Sequence, residues 1–360
     1  MKRVLQVLGS LQRGGAETMV MNVYRQMDRS DLQFDFLLKE KVNDGYEQEV
    51  KALGGHIFYV ESPKKIGVKN YIKNVKAVIE QNGPYCAVHS HMNVMSGLIM
   101  FSAWLSGINL RISHSHSTRF TNSFPTIILG KTLIKIFANK KVACGQKAGK
   151  ALFGQSKFSV IPNGIDTAKY YVYDENTRSI LRRKLNMKLD AFQICHVGRF
   201  VDVKNHKFIL EVARELKNDN VNFQVHLLGD GELFDEIHQM ANEMNLEEVC
   251  FHGSVENVNE YLKASDLFIL PSKYEGLPVT LVEAQSAGVK CLVSNGVPTE
   301  ADFNLGLMEA LPLEKDIWVT RIKQCVSNKK RIAQSDIESA IRNRGYDIRD
   351  SANKMLEVYL

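Results

Sequence analysis

The sequence has no cysteine pair at C-x-x-C spacing; its six cysteines, Cys86, Cys144, Cys195, Cys250, Cys291 and Cys325, are scattered along 360 residues. That excludes a zinc knuckle and a disulfide framework and suits a reducing compartment, so a cytoplasmic location is expected. No low-complexity tract or short repeat is visible, which excludes solenoids and long biased linkers. The apolar run in MKRVLQVLGS is only a few residues long and leads into a Gly-rich loop; it predicts a first strand and no signal peptide. Charge is missing from Met92 to Leu110, a length close to a bilayer span. Asn93, Ser96, Gly97, Ser102, Ser106, Gly107 and Asn109 dilute it, however. A buried helix over about Val94–Ser106 followed by a strand is expected, with no spanning segment. Asp-x-Asp motifs are also missing, and with them the usual acidic seat for Mg²⁺ or Mn²⁺.

What is present is the composition of a globular protein, 44% hydrophobic and 24% charged, at a length that suits two domains. The net charge of +6 is unevenly spread. Residues 1–170 carry 23 Lys and Arg against 11 Asp and Glu, a balance of +12, and the remainder comes to −6. Two basic stretches stand out: Lys64, Lys65, Lys69, Lys73 and Lys76, then Lys131, Lys135, Lys140, Lys141, Lys147 and Lys150. Apolar residues interleave in both at helical spacing, among them Tyr71, Val75 and Ile79, and Ile127, Ile128, Leu133, Ile134 and Phe137. Solvated faces of amphipathic helices explain them, and so does a first domain resting peripherally on the anionic inner face of a membrane. No nucleic-acid-reading module accompanies the charge, so no nucleic acid partner is expected.

Strand and helix patterns alternate. Strands are expected at Arg3–Leu8, Phe34–Leu38, His56–Val60, Ala87–His89, Leu110–Ser113, Lys141–Cys144 and Ser159–Ile161. After the breaker Pro162-Asn163-Gly164 they resume at Phe192–Val197, Asn222–Leu228, Val249–Phe251, Leu267–Leu270 and Lys290–Val293. Helices are expected between them, including Glu17–Met27, Lys69–Gln81, Lys204–Leu216, Leu233–Met244 and Pro278–Ala287. Such alternation predicts an α/β chain of two doubly wound, Rossmann-like domains, residues 1–168 and 169–345. A terminal helix, 346–360, is expected to complete the first. Ligands bind such sheets at the carboxyl ends of the strands.

The chemistry-bearing residues fall at those ends. Gly198-Arg199 closes an apolar strand and Lys204 follows; a planar guanidinium and a point charge suit a diphosphate that gains charge as it leaves. In SKYEGLPVTLVEAQSAG, Pro278 opens a helix whose first amides, on Val279 and Thr280, form an anion seat. Glu275 precedes that turn by way of Gly276 and Leu277, and Glu283 lies about one turn inside the helix, where a carboxylate can accept from a ribose diol. Alone, this pair reads as a cap and a solvated helix glutamate. The loop Gly9–Glu17, with Gly14-Gly15, lets backbone approach a ligand closely. His89, His91, His114 and His116 form two His-x-His pairs, and alternate strand residues share a face. A metal set, histidines in a substrate cleft and structural packing all stay open from spacing alone.

Together these elements resemble the retaining glycosyltransferases of family 4, which have the GT-B architecture of two domains facing a central cleft. The carrying residues are Gly14-Gly15, the 161–166 junction Ile-Pro-Asn-Gly-Ile-Asp, Gly198-Arg199 with Lys204, Gly229-Asp230-Gly231-Glu232, and above all Pro271–Pro278 through Glu283–Gly288. The likeness covers nearly the whole chain. With His-Ser-His-Ser-Thr at 114–118, it is similar to bacterial enzymes of capsule and exopolysaccharide biosynthesis. It implies transfer of a hexosyl group, with retention, from a nucleoside diphosphate sugar of UDP type to a glycan or lipid-linked acceptor, with no metal or other cofactor. Arg199 and Lys204 would hold the diphosphate, Glu283 the ribose, Glu275 the sugar hydroxyls, and main-chain atoms near Ser254-Val255 the base. Gly15 would approach the donor phosphate and His116 the reacting sugar; His114 is a poorer match. Relatives carry a Gly-Gly loop after the helix where Ser294–Glu300 stands here, so that loop says nothing of the sugar. A nucleotide-sugar epimerase of similar architecture and a non-catalytic sugar-nucleotide binder are the rivals. An NAD-dependent oxidoreductase lacks its G-x-G-x-x-G fingerprint.

Overall fold

The structure, a computed structural model, describes residues 1–42, 45–171, 175–328 and 332–359. Leu360, the last residue of the expected terminal helix, lies outside them. The chain forms two compact units, Met1–Gly164 with Gly345–Leu360, and Ile165–Arg344. The boundary falls at 164/165, ahead of 168/169, because the short turn Thr167–Tyr170 is held by the second unit, where the Tyr170 hydroxyl donates to Glu283 at 2.8 Å.

The first unit is built on a seven-stranded parallel sheet: β1 Lys2–Leu8, β2 Leu32–Leu38, β3 Ile57–Tyr59, β4 Ala87–Ser90, β5 Leu110–Ser115, β6 Lys140–Ala143 and β7 Ser159–Val160. Its order is β3-β2-β1-β4-β5-β6-β7. The second has six parallel strands: β8 Phe192–Val197, β9 Phe223–Leu228, β10 Val249–Phe251, β11 Leu267–Leu270, β12 Lys290–Ser294 and β13 Met308–Leu311. Its order, β10-β9-β8-β11-β12-β13, is the doubly wound Rossmann order, which reverses between β8 and β11 as the first does between β1 and β4. Sequences such as FQICHV and LFIL are buried along their whole length because helices cover both faces.

The core of the first unit uses both parts of the chain: Ala352, Met355, Val358 and Tyr359 pack with Met19, Phe34 and Ile161. In the second unit Phe208, Trp318 and Ile322 close one face of the sheet over Phe192 and Val225. Strand β13 was not anticipated. It is a short edge strand, MEAL, with only Leu311 buried, and leaves no alternation to read. The charge-free stretch folds as a 3₁₀ turn, Asn93–Met95, and a helix, Ser96–Leu105, leading toward β5. Among the described residues no helix is long and apolar enough to cross a membrane.

The second basic stretch departs from a simple amphipathic helix. In the helix Phe124–Phe137 only Gly130 and Ile134 are buried, while Phe124, Ile128, Leu129 and Ile136 are exposed, Phe124 at 75%. Gly97 and Gly130 cross so closely that a β-carbon on Gly97 would meet the Gly130 carbonyl at 2.6 Å. That approach presses this helix onto Ser96–Leu105 along a narrow line and leaves its outer apolar residues uncovered.

Candidate functional site

In the second unit the residues expected to hold a donor lie at the strand ends where the sheet order reverses. Strand β8 is buried to Val197 and ends in half-buried Gly198 and exposed Arg199, after which Phe200 returns to the core. A β-carbon on Gly198 would stand 3.2 Å from Lys204 Cδ, so glycine is what lets the lysine stem pass. The Gly229 turn presses on the same place: its φ is +137°, and a β-carbon there would collide with the Gly198 carbonyl. Beyond Gly198, Val201–Asn205 is tied to the end of β11, with the Lys273 amide donating to the Val203 carbonyl at 2.8 Å. Asn205 Nδ2 donates to the Pro271 carbonyl at 3.2 Å. These bonds fix where Lys204 points.

Lys204 Nζ meets Glu275 Oε1 at 2.7 Å, with both side chains mostly buried. The two groups assigned separately to phosphate and sugar therefore lie side by side. A half-buried ion pair of this kind holds a cation where a phosphate can share it, since an ammonium has three donors and the carboxylate uses one. Next to the pair, Pro278 caps the helix Val279–Ser286, and its carbonyl accepts from Leu281 at 3.1 Å. The amides of Val279 and Thr280 thus have no carbonyl one turn back to bind. Gly276 and Leu277 lead the chain into that helix and are partly buried. Two buried hydroxyls here have no partner among the described residues, Thr280 Oγ1 and Ser272 Oγ at the end of β11. Such groups are expensive to leave unsatisfied, so both are candidates to meet a polar ligand. Ser272 was not singled out from sequence.

Glu283 sits inside the same helix and accepts from the Tyr170 hydroxyl at 2.8 Å. Burial raises its pKa above the ordinary carboxylate value, and the Tyr170 bond opposes that rise. Tyr170 too was not anticipated; it lies 113 positions away, and no local pattern joins them. Val255 lies in the loop after β10, which is tied to the Gly229 turn by a 2.7 Å bond from the Gly229 amide to the Gly253 carbonyl. Arg199 is exposed, one residue beyond Gly198. A cavity lined by Phe192, Arg178, Asp266 and Lys290 lies at the opposite, amino ends of the strands, where such sheets do not bind ligands.

In the first unit Gly14 caps the helix Gly15–Gln26, and the Glu17 carboxylate folds back beside Gly14. The two His-x-His pairs converge. His89 and His114 lie on β4 and β5, and His91 and His116 follow just beyond the strand ends, with stacked or tilted rings 4.1–5.3 Å apart. His114 belongs to this cluster as fully as His116. Ring nitrogens of His89, His91 and His114 lie within 4.8 Å of one another, a spacing a metal ion could use. Each also meets a neighbour: His91 with His116 at 2.9 Å, His114 with His89 at 3.2 Å, and His89 with the Tyr359 hydroxyl at 2.7 Å. Burial lowers the pKa of all four, to about 3 for His89 and His116, so the rings are neutral.

Comparison with known proteins gives the family and the fold. Residues 177–304 match the family profile described as glycosyl transferases, group 1. The chain is 38% identical over 373 residues to EpsF of Bacillus subtilis, named as a glycosyltransferase, covering 99% of this chain and 96% of that one. It is 26% identical to the capsular polysaccharide biosynthesis glycosyltransferase CapH of Staphylococcus aureus, covering 100% and 99%. The structure superposes on that of Anabaena HepE in complex with UDP and glucose with a TM-score of 0.82, at 17% identity and 99% coverage of both chains. That likeness is one of fold, and the fold is GT-B.

Proposed function

Because the chain belongs to the group 1 glycosyltransferases, we propose that it moves a hexosyl group from a UDP-sugar to a hydroxyl of a glycan or lipid-linked glycan, with retention, in the assembly of a surface polysaccharide. The observation that carries this is the Lys204–Glu275 pair, held at the reversal point of the second sheet beside Gly198 and the helix opened by Pro278. Lys204 and Arg199 are assigned to the diphosphate with the amides of Val279 and Thr280, Glu283 to the ribose diol, and main-chain atoms near Val255 to the base. Glu275 is assigned to the sugar hydroxyls, and His116 and Gly15 are the first unit's candidates for sugar and phosphate. The bond from the anomeric carbon to the diphosphate breaks as the bond to the acceptor oxygen forms, and the acceptor's proton passes to the leaving phosphate. Charge on the departing diphosphate is met by Lys204 and Arg199, so the reaction is assigned no metal. CapH's name and the UDP in the HepE complex support polysaccharide and UDP.

The test is a thermal-shift screen of UDP-sugars against UDP, since a ligand at 100 times its Kd adds about 2.7 kcal/mol to stability. At least one UDP-sugar should raise the melting temperature and release UDP; if none binds at millimolar concentration, the assignment fails. Glu283→Gln gives a second, two-sided result. An ionised buried carboxylate with a raised pKa costs stability above that pKa, and the cost disappears as pH falls through it. The unliganded variant should therefore melt higher than the parent at pH 7.5 and no higher near pH 4. UDP affinity should fall about tenfold with the charged acceptor gone. A variant that melts lower at pH 7.5, or binds UDP as before, removes Glu283 from the site.

The exposed apolar residues of the first unit support a peripheral membrane location. Phe124, Ile128, Leu129 and Ile136 are joined by Trp104 and Leu105, and Trp104 packs against Phe137 with ring centroids 5.2 Å apart. Lys135 and Lys140 are exposed nearby, and burial together with Lys135 lowers the pKa of Lys141. Apolar insertion with each lysine adding about 1 kcal/mol suits an anionic bilayer. Vesicles rich in phosphatidylglycerol should sediment the protein at low salt, and Ile128→Glu, at an exposed position, should cut the bound fraction several-fold. No sedimentation at low salt overturns this location.

A further inference from the structure

The four histidines of the first unit meet Gln6 and Tyr359, and the shared hydrogen bonds dictate where every ring carries its proton. Gln6 Nε2 donates to the Tyr359 hydroxyl at 2.9 Å, and Gln6 Oε1 accepts from His91 Nε2 at 2.9 Å. Having accepted from Gln6, the hydroxyl donates to His89 Nδ1 at 2.7 Å. A neutral His89 then carries its proton on Nε2 and donates to His114 Nδ1 at 3.2 Å. His114 in turn carries its proton on Nε2.

The other arm runs from the same amide. With its proton on Nε2, His91 accepts at Nδ1 from His116 Nε2 at 2.9 Å. That leaves His116 Nδ1 as a bare lone pair. All four rings are thereby in the Nε2–H form. Turning the Gln6 amide over reverses every bond and puts all four in the Nδ1–H form, so the tautomers change together.

The two arms end on His114 Nε2 and His116 Nδ1. Both atoms are buried and unpartnered among the described residues, and the two rings stack at 4.1 Å between centroids. In either orientation of the amide one end is a donor and the other an acceptor. A hydroxyl, which gives one hydrogen bond and takes others, is the group that satisfies both. A carboxylate or phosphate would meet a lone pair at one of them.

We propose that Gln6 and Tyr359 are positioning residues that hold the four histidines in one common tautomer, so that His114 and His116 offer one donor and one acceptor to a single hydroxyl of the sugar substrate. The hydroxyl's identity as a sugar group rests on the glycosyl-transfer reading; the common tautomer does not.

The test is ring-nitrogen NMR of the full chain labelled with ¹⁵N-histidine. All four resonance sets should show one and the same pattern, Nε2–H with the amide as described or Nδ1–H with it turned over. Tyr359→Phe should uncouple the two arms, so that His89 and His114 no longer share the tautomer of His91 and His116 while each pair stays matched within itself, a split that general loosening of the core would not produce. Mixed or opposed tautomers in the unaltered protein overturn the proposal, as does stoichiometric uptake of added Zn²⁺ by these rings. UDP-glucose should shift His114 Nε2 and His116 Nδ1 where UDP does not; saturation with no shift removes the hydroxyl assignment. Failure of UDP itself to bind counts against the glycosyl-transfer reading, and the tautomer result still decides the network.

Discussion

Lys204→Ala is expected to lower turnover of the competent UDP-sugar by about 10²–10³-fold, mostly in kcat. Removing one donor aimed at developing charge commonly costs that much in a shielded site. Lys204 is placed for this role by specific means: its stem passes over Gly198, its loop is tied to β11, and its ammonium is shared with Glu275 at 2.7 Å. The substitution also takes the neighbouring cation from Glu275, whose negative charge would then repel the donor phosphates. Two further variants separate these effects. Glu275→Gln leaves the ammonium free, so it should weaken sugar discrimination while UDP still binds. The double change should recover UDP affinity relative to Lys204→Ala alone. UDP release under saturating donor reads kcat, and titration calorimetry with UDP reads the ground state. An unchanged kcat in Lys204→Ala would mean that the lysine only holds Glu275 in place.

Asp266→Ala is expected to be the most damaging single change to stability, by about 3–5 kcal/mol. Asp266 is buried, and its carboxylate meets Arg178 at 3.0 Å and Arg182 at 2.8 Å, both guanidinium groups being buried as well. It also accepts from the Gln193 amide at 2.9 Å, which ties the start of β8 to the start of β11. Replacing two charged oxygens with a methyl group takes the shared anion from two buried guanidinium groups and an amide, and leaves Arg178 and Arg182, among the described residues, only the Ser265 and Ala264 carbonyls and a longer pair with Glu175. The two tryptophans make the measurement direct, since Trp104 lies in the first unit and Trp318 in the core of the second. With Trp104→Phe as background, Trp318 fluorescence in urea reports the second unit alone. Its midpoint should fall steeply with Asp266→Ala, and an unaltered midpoint would show that the triad is solvated and worth little.

Much of this was legible in sequence for physical reasons, and what was not has equally physical ones. Runs such as FQICHV read as buried parallel strands because no polar residue needs an outward face, and the His-x-His pairs read as convergent because strand side chains alternate. Periodicity marked the helix Phe124–Phe137 but could not say what its apolar residues meet; in the structure several of them are exposed. The site chemistry was visible as residue types at strand ends. The contacts were not, because Lys204 and Glu275 are 71 positions apart, Tyr170 and Glu283 113, and Gln6 and Tyr359 353. Such pairings depend on how the strands are ordered, and a sheet order leaves no local mark on either partner.

The first unit closes with residues 345–360, after the whole of the second unit has been threaded between its two parts. During synthesis the second unit is contiguous and can fold as soon as it emerges. The first must wait, with Met19 and Phe34 short of their partners Met355 and Tyr359. At 5–20 residues per second the intervening segment takes about 10–40 s to make, a long exposure for an apolar surface. Folding of the two units is thus ordered in time by topology, and the hydrogen-bond network around Gln6 is among the last features to form. A chain stopped short of Tyr359 would carry every glycine, lysine and glutamate of the donor site and still lack the group that links Gln6 to His89.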